Sequence, residues 1–492
     1  MTGPLYIAVD LGAGSGRVFL AGVDPGEFLL EEMHRFTYPP RELNGHLRWD
    51  IARIFDEIKQ GMDKAGSRAN EIGRKVVSIG IDGWGVDYGL IDGTGNLIAE
   101  PVCYRDDRTR GVMEKVFGIV PRSEIFEKTG IQFLNFNTLF QIFAEEEDLG
   151  KAEKLLLLPD LFNFYLTGKI ASEYTNATTT QMVNAVSGKW DRDLLEKVNI
   201  PERLLPAIIP AGSTLGELKP EIAAELGLTD AKVISPATHD TGSAIAGAPF
   251  QDNWAYISSG TWSLIGVERS EPLINEEVAR ENFTNEGGAY STFRFLKNVM
   301  GLWIFESSRR EWAAAGIDVT YENLLRDVDA HKPFETFIFP DDERFLNPPG
   351  MLAAIKTQVA ETGQQVDHTP AAVSRMIFDS LAFRYASVLR RIELLTGIKL
   401  KGIQVLGGGG KNRYLNQATA NASGLEVVAG PEESTVVGNV LIQAISSGRF
   451  RSLTEARAHV SENFSFERFA PLQPAGLDEA LECYQAIEDR FL

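Results

Sequence analysis

The feature that most constrains this chain is a glycine-punctuated hairpin used twice. Residues 5–10 make a short apolar, β-rich run, Gly12, Gly14 and Gly16 mark a tight turn, and residues 17–23 alternate into a second strand. Residues 254–258 and 262–267 read the same way on either side of Ser259-Gly260-Thr261. Gly12 and Gly260 stand 248 positions apart in a chain of 492. A repeat of that length is no solenoid; it predicts two related domains facing each other, each about half the chain. The expected division is 1–246 and 247–492.

Around the hairpins, strands alternate with helices, the pattern of an α/β fold. A third strand is expected over 28–36. Asp50 can cap a helix whose apolar positions Ile51, Ile54, Phe55, Ile58 and Met62 fall three or four apart. Strands follow at 76–81 and 86–91. The stretch 121–210 reads as mostly helical, with 155–158 running into Pro159-Asp160 as a helix start and the prolines of 201–210 marking a connector. A strand at 232–235 leads into Thr238-His239-Asp240-Thr241-Gly242. Residues 370–396 carry the clearest helical period, with Gly397 as C-cap. A buried strand at 403–406 precedes the glycine run 407–410 and a helix from Asn412, and 436–446 is a further helix with small residues on one side.

Sixty-eight acidic residues against forty-eight basic ones leave a formal charge of −20. Such a surface repels a polyanion and excludes a general nucleic-acid binder, so any phosphate ligand needs metal and backbone donors supplied locally. Cys103 and Cys483 show neither metal-ligand spacing nor a disulfide framework, which suits a reducing compartment. The start MTGPLYIAVDLG lacks the basic and apolar blocks of a signal peptide, and no apolar run approaches ~18 residues. The expectation is a soluble, cytoplasmic protein with no membrane partner.

Three glycine turns and two polar clusters carry candidate chemistry. Asp10-Leu11-Gly12-Ala13-Gly14-Ser15-Gly16-Arg17 is neither a P-loop nor a dinucleotide fingerprint, because it leads to a strand and lacks Gly-Lys-Ser/Thr. It is either a plain turn or one whose small residues let backbone N–H groups reach phosphate, with Ser15 and Arg17 adding donors. Asp10 would then hold Mg²⁺ through water. Ser259-Gly260-Thr261 would complete a phosphate clamp. Four consecutive glycines at 407–410 are costly to order, which favours close approach of backbone to a ligand. Asp240 is an N-terminal helix acid on the plain reading; at the top of a sheet it can instead accept a hydroxyl proton during phosphoryl transfer. His239 can equally be a satisfied structural histidine. Trp84, between Gly83 and Gly85, and Arg108 in Tyr104-Arg105-Asp106-Asp107-Arg108 fit a polyol pocket, the plain alternative being a bulged hairpin.

In this order, these segments resemble the FGGY carbohydrate kinases of the actin-like/hexokinase-like ATPase superfamily, and within them the rhamnulokinases. The stretches carrying the resemblance are IDGWGVDYGLID (81–92), YRDDRT (104–109), GIQFLNFNTLFQ (130–141), LPDLFNFYLTGK (158–169), EYTNATTTQ (173–181), YISSGTWSLIG (256–266), TNEGG (284–288) and LKNVMGLW (296–303). The resemblance covers about residues 5–445. It implies two ribonuclease-H-like domains with MgATP and sugar in the interdomain cleft, and phosphorylation of L-rhamnulose on its 1-hydroxyl. It implies Asp240 as the catalytic base. Ala13, Gly14, Ser15, Gly16 and Arg17 would form the first ATP loop, with Thr261 and Gly409 as further ATP contacts. Gly83, His239, Thr241 and Asn298 match sugar-binding positions. Glu306 stands where a glutamine touching ATP is expected, and its carboxylate would repel phosphates unless Mg²⁺ or a lysine intervenes. Two alternatives stand beside this reading: an FGGY kinase for another ketose or polyol, such as L-fuculose or xylulose, and a sugar or nucleotide sensor without turnover. The intact Asp240 counts against the sensor.

Overall fold

The computed structural model describes residues 3–145, 149–317, 319–365 and 367–492. The chain forms two compact units. The first takes Met1–Pro249, Glu268–Phe295 and Ser434–Phe464; the second takes Phe250–Val267, Leu296–Glu433 and Ser465–Leu492.

The first unit is built on six strands: β1 (Leu5–Gly12), β2 (Ser15–Asp24), β3 (Glu27–Thr37), β4 (Val76–Gly83), β5 (Ser213–Glu217) and β6 (Lys232–Ser235). They lie in the order β5-β6-β4-β1-β2-β3. β1, β2 and β3 pair antiparallel in sequence, β4 joins β1 in parallel, β6 joins β4 in parallel, and β5 closes the edge antiparallel to β6. β1 is buried along almost its whole length, as a strand covered on both faces must be. Helix α1 (Ile51–Glu71) connects β3 to β4; the Asp50 side chain accepts from Arg53 N–H at 3.1 Å, and Ile51, Ile54, Ile58 and Met62 are buried along one stripe. Helix α2 (Leu158–Thr167) follows the short strand Lys154–Leu157, and α3 (Asp240–Ala246) follows β6. The Ser434–Ser446 helix also belongs here. A Cβ at its Gly438 would lie 1.8 Å from Ser243 O, so only glycine permits its contact with α3.

The second unit repeats the plan. Its sheet places β7 (Trp254–Ser259), β8 (Trp262–Arg269), β9 (Phe293–Met300), β10 (Gly402–Leu406), β11 (Glu426–Ala429) and β12 (Glu467–Phe469) in the order β9-β8-β7-β10-β11-β12, with a seventh strand, Thr284–Gly287, at the edge beside β9. The parts of β8 and β9 that lie within Glu268–Phe295 fall to the first unit. β7 pairs antiparallel with β8 and parallel with β10, β10 pairs parallel with β11, and β12 closes the edge antiparallel to β11. Position for position, β7, β8, β9, β10, β11 and β12 correspond to β1, β2, β3, β4, β6 and β5. The duplicated hairpin is thus the visible part of a duplicated sheet. Helix α4 (Pro370–Thr396) has the expected bounds, with Thr369 as N-cap and Gly397 left-handed at its C-terminus; α5 (Arg413–Ser423) follows the glycine run.

Two expectations shift. Val86 adopts a left-handed backbone (φ 69°), so the strand read as 86–91 is Tyr88–Ile91. The stretch 121–210 holds helices of four to ten residues interleaved with short strands, because Gly130 and Gly168 turn left-handed and end two of them early. Among the described residues no helix is long and apolar enough to cross a membrane, and Cys103 and Cys483 are free thiols.

Candidate functional site

The parallel register of β1 and β4 sets Asp10 opposite Asp82 and Leu11 opposite Gly83. Across the hairpin, Asp10 faces Arg17, whose guanidinium donates to Asp10 Oδ2. The intervening turn is clasped by Tyr38. Its hydroxyl lies 2.6 Å from Gly12 O and 2.9 Å from Ser15 O, and its N–H donates to Gly14 O at 2.9 Å. Gly14 sits at φ +143°, open to any close-approaching group. Gly16 is required for a different reason: a Cβ there would lie 2.5 Å from the Phe36 ring. Ala13 and Arg17 are half-buried and Ser15 is exposed.

Gly83 N–H donates to Thr238 O at 2.9 Å, and Gly83 bridges to His239, so the end of β4 meets the start of α3. One buried carboxylate organises this start: Glu173 Oε2 accepts from Thr238 N–H at 2.9 Å, Thr238 Oγ1 at 3.1 Å and Thr175 Oγ1 at 2.5 Å. His239 Nδ1 lies 3.0 Å from a terminal nitrogen of Arg294. That fully buried guanidinium also donates to Gly287 O at 2.9 Å and pairs with Glu286 at 3.1 Å. Asp240 Oδ1 accepts from Thr241 N–H at 2.5 Å and Thr241 Oγ1 at 3.1 Å, with His239 Nε2 3.5 Å away. Burial, together with the negative charge of Asp10, raises the Asp240 carboxyl to about 7. Burial, with Arg294 beside the ring, pushes His239 well below the usual imidazole range.

Asp82 is wholly buried, and its carboxyl is driven well above the carboxylate range by burial and by the charges of Asp10 and Asp240. Asn439 Nδ2 donates to Asp82 Oδ2 at 2.5 Å and to Gly80 O at 3.2 Å. Gly80 has to be glycine, since a Cβ would lie 2.5 Å from Asn439 Oδ1. Among the described residues Asp82 Oδ1 has no hydrogen-bond partner. Also among them, no group of three His, Cys, Asp or Glu side chains forms a ready metal cage. Mg²⁺ does not ask for one: it keeps waters and takes one or two carboxylates plus substrate phosphates. Asp10 in front of an orphaned Asp82 oxygen fits that requirement.

Trp84 is 6% exposed. Its Nε1–H donates to Asp87 Oδ2 at 2.9 Å, and Trp49 donates to the same oxygen at 2.7 Å, with the two rings 4.9 Å apart. The Arg108 guanidinium is spent on Glu145 at 2.8 Å and Gln141 at 2.9 Å. Both side chains therefore have their polar groups engaged within the protein.

In the second unit, Ser259-Gly260-Thr261 is strapped to the start of the Trp303–Ala314 helix: Leu302 N–H donates to Gly260 O at 2.9 Å, and Gly301 and Trp303 N–H donate to Thr261 O at 3.1 and 3.2 Å. Gly409 lies so close that a Cβ would sit 2.0 Å from Ser259 Oγ. Asn412 caps α5, and Asn416 Nδ2 donates to Gly410 O at 2.7 Å. Glu306 is paired with Arg309 at 2.8 and 3.0 Å, so the cation beside this carboxylate is an arginine. Lys411 pairs with Glu432 at 2.9 Å. Asn298, on β9, is half-buried.

The structure thus brings Asp10, Arg17, Gly83, Trp84, His239, Asp240 and Thr241 into the first unit; Thr261, Asn298, Glu306 and Gly409 belong to the second. Tyr38, Arg294 and Asn439 lie outside the stretches that carry the resemblance, and Asp82 and Glu173 lie within 81–92 and 173–181 with no role of their own expected there. Two had a visible signal: Asp82 ends an apolar strand with a charge, and Asn439 interrupts an apolar helical run.

Two family models match this chain: the N-terminal domain of the FGGY family of carbohydrate kinases over residues 5–247, and its C-terminal domain over residues 255–447. A protein named Rhamnulokinase from Bacteroides thetaiotaomicron is 42% identical over 480 residues, covering 96% of this chain and 97% of its own length. Another of that name from Ligilactobacillus salivarius is 40% identical over 470 residues, covering 95% and 96%. Among solved structures, gluconate kinase from Lactobacillus acidophilus shares the fold at TM-score 0.80 and 17% identity, covering 100% of this chain and 97% of that one. A ligand-bound xylulose kinase from the same organism does so at 0.80 and 17%, covering 99% and 97%. Duplicated sheet, glycine turns and matched domains lead to one conclusion: the chain belongs to the FGGY family of carbohydrate kinases and is an enzyme that phosphorylates a sugar with ATP.

Proposed function

We propose that this enzyme transfers the γ-phosphoryl group of ATP to the 1-hydroxyl of L-rhamnulose, giving L-rhamnulose 1-phosphate and ADP, with Asp240 as general base. The sugar is supported by identities of 38–42% to proteins named Rhamnulokinase over nearly the whole chain. One observation carries the base: Asp240 keeps 30% of its side-chain surface open while its carboxyl is raised to about 7, so near neutrality it is both reachable and partly ionised. The hydroxyl proton passes to Asp240, the sugar oxygen bonds to the γ-phosphorus, and the bond from that phosphorus to the ADP oxygen breaks. A base of this strength suffices, because the transition state is loose and the proton leaves late.

Gly83, His239, Thr241 and Asn298 are the proposed sugar contacts, and Trp84 and Arg108 are proposed to line the same pocket, their polar groups held by Asp87, Glu145 and Gln141. Ala13, Gly14, Ser15, Gly16, Arg17, Thr261 and Gly409 are the proposed nucleotide contacts. Glu306 joins them with its charge offset by Arg309. Asp10, with Asp82 behind it, would hold Mg²⁺, which when bound neutralises phosphate charge. ADP release against a ketose panel tests the reading. L-rhamnulose should be preferred over L-fuculose and xylulose, and Asp240→Asn should slow turnover roughly 10²–10⁴-fold. Preference for another ketose overturns the substrate, and normal turnover by Asp240→Asn overturns the base. Nucleotide binding with no turnover on any sugar would favour a sensor.

A further inference from the structure

Arg294 has no role in the reading above, yet it is a fully buried cation in contact with the residue beside the base. A guanidinium offers only donors, so His239 Nδ1, 3.0 Å from it, presents a lone pair. A second proton on a buried ring beside a cation is strongly disfavoured. The one imidazole proton therefore sits on Nε2, the atom 3.5 Å from Asp240 Oδ1. Thr241 N–H and Oγ1 already donate to that same oxygen.

We propose that Arg294 is a positioning residue: by donating to His239 Nδ1 it keeps the ring proton on Nε2, which faces Asp240 Oδ1 at 3.5 Å, so that the oxygen already accepting from Thr241 is the one turned to the ring and Oδ2 is left to take the substrate proton. This rests on Asp240 as the base. The arrangement also disqualifies the neighbouring histidine as a competing base, since one ring nitrogen is engaged and the other already carries its proton. Arg294 is itself fixed, donating to Gly287 O at 2.9 Å and Thr175 O at 3.3 Å and paired with Glu286 at 3.1 Å. Among the described residues, the charged groups facing the ring are Arg294, Glu286 (3.5 Å from Nδ1) and Asp240.

The test is a long-range ¹H–¹⁵N spectrum of the full-length, histidine-labelled enzyme between pH 6 and 9, with His239→Gln identifying the His239 signals among those of six histidines. The expected result is an Nε2-protonated ring that does not titrate in this range. Arg294→Met should mix the tautomers or let the ring charge, and should lower kcat roughly 10- to 100-fold, the range seen when the partner that orients a metal-bound histidine is removed. Its KM for ATP should stay near wild type. Arg294→Lys, which keeps a donor, should recover part of the rate. An Nδ1-protonated or charged ring in the wild type overturns the proposal. So does an Arg294→Met enzyme with the original spectrum and rate. If Arg294→Met fails to fold, the wild-type spectrum alone decides. Failure of the base reading looks different: the spectrum stays as expected while Asp240→Asn turns over normally.

Discussion

Replacing Asp240 by asparagine separates what this carboxylate does to the fold from what it does to the reaction. The amide keeps the shape, and keeps an oxygen to accept from Thr241 N–H and Oγ1 at 2.5 and 3.1 Å. It loses the charge. In the wild type, burial and then Asp10 raise the group from 3.8 to about 7. The folded protein thus holds this proton more tightly than the unfolded chain does. Its contribution to stability is complete below about pH 4, falls as pH rises, and is lost above about 7. A displacement of about 3 units corresponds to ~4 kcal/mol if all of it appeared as stability. With 30% of the side chain open, solvent screening reduces this to about 1–2 kcal/mol. Asp240→Asn should therefore exceed wild type by about that amount at pH 8, and the gap should narrow towards pH 5. Urea unfolding of both proteins at the two pH values measures it, provided the slopes agree. Wild-type kcat/KM should meanwhile climb with pH and level off above about 7, as the base loses its proton. A mutant less stable than wild type at pH 8, or a gap that does not widen from pH 5 to pH 8, would refute the reasoning.

Three further perturbations follow from the geometry. Asn439→Ala strands the buried Asp82 carboxyl and Gly80 O, and should cost about 2–4 kcal/mol by urea unfolding, since unsatisfied buried groups cost ~1–3 kcal/mol each. Gly409→Ala places a methyl 2.0 Å from Ser259 Oγ and 2.6 Å from its Cβ, and should raise KM for ATP. Adding Ser259→Gly removes both atoms and should restore part of the loss, read by steady-state kinetics. Glu306→Gln should change KM for ATP little, whereas Arg309→Ala, which bares the carboxylate, should raise it several-fold; equal effects would show that the pair at 2.8 Å does not set the local charge.

Legibility in the sequence followed the range of the interactions. Helix α4 was readable to the residue because Thr369, Pro370 and Gly397 cap it within its own segment. The twin hairpins were readable because a strand, a glycine turn and a strand lie within twenty residues. The polar network under the site was not. Asp82 and Asn439 are 357 residues apart, and Arg294 reaches His239 over 55. No local pattern says which asparagine in an apolar helix will meet which aspartate. Trp84 joins a local partner to a distant one: Asp87 stands three residues on, inside the stretch 81–92, whereas Trp49, which shares that carboxylate and packs against the ring, comes from a separate segment. Val86 was misread because a β-branched residue at positive φ runs against its intrinsic preference, and only tertiary packing imposes it.

The Ser434–Ser446 helix has a consequence for how the enzyme is made. It supplies Asn439 to Asp82 and seats Gly438 against α3, so the first unit stays unfinished until the chain has been synthesised past residue 446. At ~5–20 residues per second, a ribosome needs roughly ten to forty seconds to travel from the end of Met1–Pro249 to the end of Ser434–Phe464. Throughout that interval Asp82 and Gly80 lack the Asn439 side chain that contacts them in the finished fold. Meanwhile the strands of the second sheet, which has the same order of pairing, emerge beside the first sheet. A polypeptide with two copies of one strand plan and a late-arriving closing piece is exposed to pairing with the wrong copy. The hydrogen bond from Asn439 to Asp82 is made only once the closing helix has reached the first sheet.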